Sequence, residues 1–196
     1  MSEIEKNIIE HLKKLMAIDS PSGFTSRIIT EVKKEVEDLG IKAYLSNKGN
    51  LIIEAGEGEE TIGFCSHVDT LGLMVRSIKS DGSLAITKVG GPLLPTLDGE
   101  YCKVYTRDNR VYTGTIIANS PAVHVYKDAD KLERNDENMS IRLDEEVKNK
   151  EDVLKLGINS GDYIAYDPKT VITESGFIKS RFLDDKLSVA ILLEIL

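Results

Sequence analysis

Residues 64–75 read FCSHVDTLGLMV and set an imidazole and a carboxylate, His67 and Asp69, two positions apart in a largely apolar run. On an extended segment, residues i and i+2 point to the same face. An aspartate so placed can accept one ring N–H, fix the tautomer and aim the other nitrogen at a cation. The pattern alone favours a plainer reading, a buried histidine satisfied by a neighbouring acid, because so short a pattern recurs readily by chance. The same stretch also marks the point at which the chain changes texture.

Upstream of it, Ile4, Ile8, Ile9, Leu12, Leu15 and Met16 recur at helical spacing and predict an amphipathic first helix. SPSG at 20–23 stops that helix with breaking and capping residues, and Ile28, Ile29, Val32, Val36 and Leu39 line one face of a second, closed by Gly40. IKAYL, the turn NKGN and NLIIEA predict a hairpin; TIGFCSHV, 61–68, predicts a buried central strand in which Cys65 is a reduced, buried thiol. Downstream, LGLMVRSIK, SDGS and LAITKVGG predict one hairpin, and YCKVYT, RDNR and VYTGTIIA another. NKEDVLKLG, 149–157, predicts a short helix between Asn149 and Gly157, after which GDYIAYD and VITESG resume the strands. From Lys186 onward apolar residues again crowd at helical spacing. The expected organisation is one layered α/β unit formed by residues 1–70 and 177–196, with an all-β, barrel-like module, 71–176, inserted into it.

The composition narrows the function classes. With 41% hydrophobic and 30% charged residues in 196, the chain can bury a substantial core and is not a disordered polymer. A net charge of −8 lacks the basic footprint of a nucleic-acid binder. Two cysteines without CxxC spacing provide no disulfide framework, MSEIEKNIIEHLKKLM is too charged for a signal peptide, and no run of about 18 apolar residues predicts a membrane span. A cytoplasmic protein with no nucleic-acid or membrane partner is the expectation.

A second candidate for chemistry is Asp184 with Asp185, where a strand-like segment meets an apolar helix. Two acids there can simply cap the first turn and complement its dipole. A carboxylate at the end of a strand is also where open α/β sheets gather ligands, and its two oxygens can each hold a metal ion. His-x-Asp after a core strand together with Asp-Asp-x before a helix is more specific than either alone. Ser66 lacks a GxSxG elbow, and GEGE at 56–59 has no following Lys-Ser or Lys-Thr for a phosphate loop. His11 is expected to be solvated on its amphipathic helix, and His124 in SPAVHVY to be a strand or loop histidine of the inserted module.

Taken in order, SPSGFT, NKGNLII, SHVDTLGLMV, KVGG, SPAVHVY, KEDVLKLGINSGDYIAYDP and RFLDDK resemble one family over nearly the whole chain. It is that of the di-metal aminopeptidases, which includes the glutamyl aminopeptidases and the tetrahedral, dodecameric aminopeptidases, some labelled cellulases or endoglucanases. The resemblance implies a phosphorylase/hydrolase-like α/β catalytic domain interrupted by a β-rich dimerisation domain. It also implies a metal-dependent aminopeptidase that removes N-terminal residues from peptides with two divalent ions, Zn or Co, and a bridging water or hydroxide. Carried over by motif, His67 would be a metal ligand, Asp69 the catalytic-site carboxylate that orients it, Asp184 the carboxylate bridging both ions, and Asp185 its neighbour. Thr70 stands where the family often has an acid, a position that is not a ligand. A Glu-Glu pair, a later Asp and a distant His of the family would all lie beyond Leu196, and Glu194 is no substitute for them. The resemblance therefore makes the catalytic domain incomplete here, the chain inactive by itself, and the protein a homo-oligomer built from dimers through the inserted domain. A non-catalytic assembly or binding module, or a degenerate fragment, is the alternative from another class. A glycosidase is a third, opposed by Asp184 and Asp185 being adjacent on one turn and unable to flank a glycosidic bond.

Overall fold

The computed structural model describes residues 2–196, which form two compact units: residues up to Thr70 together with Pro168–Leu196, and Leu71–Asp167. In the first, α1 (Glu3–Met16) begins with a capping box: the Ser2 hydroxyl accepts from the Glu5 amide, and the Glu5 carboxylate accepts from the Ser2 amide at 2.6 Å. Its predicted apolar face is buried at Ile9, Leu12, Leu15 and Met16. α2 (Ser26–Asp38) buries Ile28, Val32 and Val36 and ends at Gly40, whose φ of 77° lies where a side chain is rarely tolerated. β1 (Lys42–Leu45) and β2 (Leu51–Glu54) form the expected antiparallel hairpin. Both helices and Ala43 of β1 share an apolar core with Val68 and with Val189, Ala190 and Leu193 of the last helix.

The expected central strand at 61–68 does not form. Residues 61–67 are exposed, and the described pairing nearby is a single parallel bridge between Pro21 and Thr70. A buried strand needs hydrogen-bonded neighbours for its backbone. Among the described residues no strand lies alongside this segment, so Cys65 is exposed rather than buried.

The second unit is a closed barrel of β3 (Gly72–Ile78), β4 (Leu84–Val89), β5 (Tyr101–Tyr105), β6 (Val111–Ala118), β7 (Met139–Leu143) and β8 (Tyr163–Tyr166), in the order β3-β4-β7-β6-β5-β8. Every pairing is antiparallel, and closure leaves no unpaired edge strand. Alternate residues turn inward, among them Leu73 and Val75, Leu84 and Ile86, and Ile116. A short helix, α3 (Lys150–Lys155), starts where Asn149 accepts from the Asp152 amide at 3.0 Å, as its sequence predicted.

The return to the first unit comes at Pro168 rather than at 177. β9 (Val171–Ile172) pairs with β10 (Ile178–Lys179), so VITESG is one arm of a hairpin whose other arm leads into the last helix, and the two cannot be parted at 176. α4 (Leu183–Ile195) follows. Among the described residues no helix is long and apolar enough to cross a membrane.

The two thiols should separate cleanly by chemistry. Cys102 is buried in β5 and its thiol is pushed up to about 12, chiefly by burial and then by the Asp144 carboxylate. A chromogenic disulfide reagent at neutral pH is expected to label one thiol per native chain, at Cys65, and the second after unfolding. Rapid labelling of both in the native state would contradict this barrel core.

Candidate metal centre

α1 ends at Met16, and the chain then runs through Ser20–Gly23, the turn that separates it from α2. This turn is laced to residues 68–70: the buried Ser20 hydroxyl donates to the Val68 carbonyl at 2.8 Å, the Thr70 amide to the Ser20 carbonyl at 2.8 Å, and the Ser22 amide to the Thr70 carbonyl at 3.0 Å. Val68 thereby turns into the core while His67 and Asp69, on either side of it, face outward, as period-two alternation requires.

α4 is irregular where it begins. Phe182 is left-handed with φ 63°, and neither Asp184 (φ −83°, ψ 104°) nor Asp185 (φ −126°, ψ 20°) is helical. The two aspartates therefore do not cap a regular first turn in the manner their positions suggest. Asp184 directs its carboxylate to His67. The Asp185 carboxylate accepts from the His67 backbone amide at 3.4 Å. Lys186, one residue on, points the opposite way and is fully buried, donating to the carbonyls of Leu15 at 2.9 Å and Ile18 at 2.8 Å. Burial pushes its ammonium down to about 8, against the Asp19 carboxylate, which acts in the other direction.

The result is a short chain of polar groups. Asp69 Oδ1 lies 3.0 Å from His67 Nδ1, and His67 Nε2 lies 3.2 Å from Asp184 Oδ1. The side chains are 40%, 53% and 95% exposed respectively, so His67 is not the satisfied core histidine that the bare pattern suggests. One ring nitrogen faces a carboxylate that can hold its proton, and the other shares an open face with a second carboxylate. Among the described residues no set of three or more His, Cys, Asp or Glu side chains is arranged to hold a metal ion.

The other histidines lie apart from this chemistry. His11 is not solvated as expected: its Nδ1 is 3.1 Å from Glu35 Oε1 of α2 and its Nε2 is 3.7 Å from Glu194 Oε2 of α4, because its face of α1 turns toward both helices. Glu194 also accepts from Asn7 at 3.2 Å and thus has a packing role. His124 lies exposed in a loop of the second unit. A cleft of about 790 Å³ in that unit, lined by Lys79, Asn119, Tyr126, Arg142 and Glu145 among others, includes none of the expected site residues.

With this geometry in hand, comparison with known proteins is decisive for kinship. The model of the M42 glutamyl aminopeptidase family matches residues 49–196, a span that contains His67, Asp69 and Asp184. The chain belongs to this family. The M42 aminopeptidases are generally metal-dependent. YhfE of Bacillus subtilis, which carries a provisional assignment as an aminopeptidase, is 45% identical over 199 residues, covering 100% of this chain and 57% of that protein. The structure of an aminopeptidase from Desulfurococcus kamchatkensis superposes with a TM-score of 0.83 at 28% identity, over 99% of this chain and 53% of that one. The TET1 peptidase of Pyrococcus horikoshii, which assembles into a tetrahedron or an octahedral shell, gives 0.81 at 30% identity over 96% and 56%. The chain thus spans about half the length of the M42 relatives it matches.

Lys186 is the support on which the aspartates rest. Lys186→Ala removes a buried stem and its two hydrogen bonds, and should lower the unfolding free energy by about 2–4 kcal/mol. Lys186→Met, which keeps the stem, should cost about half of that. Denaturant titration checks both; an alanine variant as stable as the parent would show that α4 does not need this anchor.

Proposed function

We propose that this chain is part of a metal-dependent aminopeptidase that removes N-terminal residues from peptides. In this reading His67 and Asp184 are two ligands of a two-ion zinc or cobalt centre and Asp69 is the carboxylate that orients His67. The observation that carries it is the meeting of His67 Nε2 with Asp184 Oδ1 at 3.2 Å, from distant parts of the sequence and on an exposed face. An imidazole nitrogen and a carboxylate oxygen suit zinc or cobalt, so His67 and Asp184 would be the residues of this chain that hold such ions. When bound, such ions supply Lewis-acid polarisation of a scissile carbonyl. The residues themselves do the rest. Asp69 accepts from the Nδ1 side of the ring and so turns Nε2 toward the open face it shares with Asp184, and the exposure of this face admits an extended peptide end.

Two donors hold an ion only loosely, so on this reading the remaining ligands and the general base come from polypeptide outside the present chain, and the chain alone turns over no substrate. The test is an aminoacyl chromogenic assay on a protein of the relatives' length that carries these residues. Chelation should abolish hydrolysis, and added zinc or cobalt should restore it. His67→Ala should lower kcat/KM more than about 100-fold with an unchanged melting curve. Near-normal hydrolysis by that variant would reduce His67 to a bystander.

A second role is favoured for the barrel, whose surface exposes Leu93 (72%) and Tyr101 (74%), large apolar groups of the kind that subunit contacts cover. In our reading the barrel joins copies of the protein into dimers and the dimers into a homo-oligomer. Replacing 71–167 by a short Gly-Ser linker should reduce the mass measured by light scattering to that of a monomer. An oligomer of unchanged subunit number would remove the barrel from that role.

A further inference from the structure

SPSG stands out in the sequence only as a helix stop, yet the structure gives its second serine a more particular place. Ser22 Oγ donates a hydrogen bond to Asp69 Oδ2, while the other oxygen of the same carboxylate, Oδ1, lies 3.0 Å from His67 Nδ1. We infer that Ser22 is a positioning residue: its hydroxyl fixes the plane of the Asp69 carboxylate, and through it the ring plane of His67 and the direction of Nε2. The inference rests on the reading of His67 as a ligand given above.

An aspartate's terminal torsion is broad, so a carboxylate that is 40% exposed does not hold its plane by rotamer preference alone. Holding each oxygen by a different donor removes that freedom. Ser22 is itself well anchored. Its amide donates to the Thr70 carbonyl at 3.0 Å, Pro21 bridges to Thr70, and the buried Ser20 ties the same turn to Val68 at 2.8 Å. The hydroxyl has a competing acceptor in the Thr70 carbonyl, but at 3.4 Å, and a charged acceptor at shorter range wins. The backbone lacing that forms the turn thus also delivers a hydroxyl to the far side of the carboxylate from the imidazole.

The role can be read without turnover. In the metal-free chain, NMR follows the solvent exchange of the His67 Nδ1–H proton, with the Thr70 amide, which donates to Ser20, as a monitor of the turn. Ser22→Ala should exchange the ring proton about tenfold faster, the loss of one hydrogen bond's worth of restraint. Ser22→Thr, which keeps a hydroxyl, should stay within about twofold of the parent. An unchanged ring proton in Ser22→Ala, with Thr70 still protected, would overturn the inference. Should Ser22→Ala also expose the Thr70 amide, Ser20→Ala decides, because it loosens the same turn while leaving the Ser22 hydroxyl in place. A ring proton that stays slow in Ser20→Ala supports the positioning role, and one that speeds up equally in both variants overturns it. Zinc is then titrated separately, into a protein of the relatives' length that carries these residues, with the His67 Nε2 resonance as the reporter. Zinc that leaves that nitrogen unmoved there would count against the ligand reading alone, since the exchange comparison contains no metal.

Discussion

The two hydrogen bonds from the Lys186 ammonium to the carbonyls of Leu15 and Ile18 are the constraint on which the site is hung. They fasten the start of α4 to the end of α1, and the residues on either side of that knot are the ones that matter. Asp184 and Asp185 precede the lysine on the α4 side. On the α1 side the chain continues into Ser20–Gly23, which is laced to Val68–Thr70 and so places His67 and Asp69. One buried cation thus sets both halves of the candidate site. An ammonium at a site that lowers its affinity for a proton is costly, and the hydrogen bonds to the two carbonyls offset that cost.

Regular periodicity was legible in the helix interiors and the hairpins, but not at Ile4 and Leu39, which stand exposed at the helix ends, nor at β7, which the spacing did not announce. The apolar faces of α1 and α2, the hairpin β1–β2, the two hairpins that open the barrel, and the Asn149 cap of α3 all follow from local spacing and turn chemistry. Errors fell where a residue's fate depends on what lies beside it in space. Cys65 and its neighbours have the apolar texture of a central strand but no strand to pair with, and so stand exposed. His11 has the spacing of a helix surface and finds Glu35 and Glu194 there. VITESG reads as one more barrel strand, yet pairs with Ile178–Lys179 and belongs to the other unit.

The candidate site's residues were legible only as motifs. His-x-Asp and Asp-Asp-Lys were recognisable as motifs, and the geometry brings His67, Asp69 and Asp184 into one polar chain. Ser22 was missed because a serine beside proline and glycine has a sufficient local explanation as a turn former. A signal was present in retrospect: two serines flank Pro21 where one would stop the helix. The chain belongs to the M42 family, and the likeness to an aminopeptidase structure runs over 99% of its length, α/β unit and barrel alike.

The proposed centre requires His67 and Asp184 to converge upon one cation. Anomalous diffraction at the zinc or cobalt edge, from metal-soaked crystals of a protein of the relatives' length that carries these residues, tests it directly. The account predicts a peak within coordination distance of both His67 Nε2 and Asp184. Anomalous peaks confined to other residues, with these two side chains turned away from each other, would contradict it.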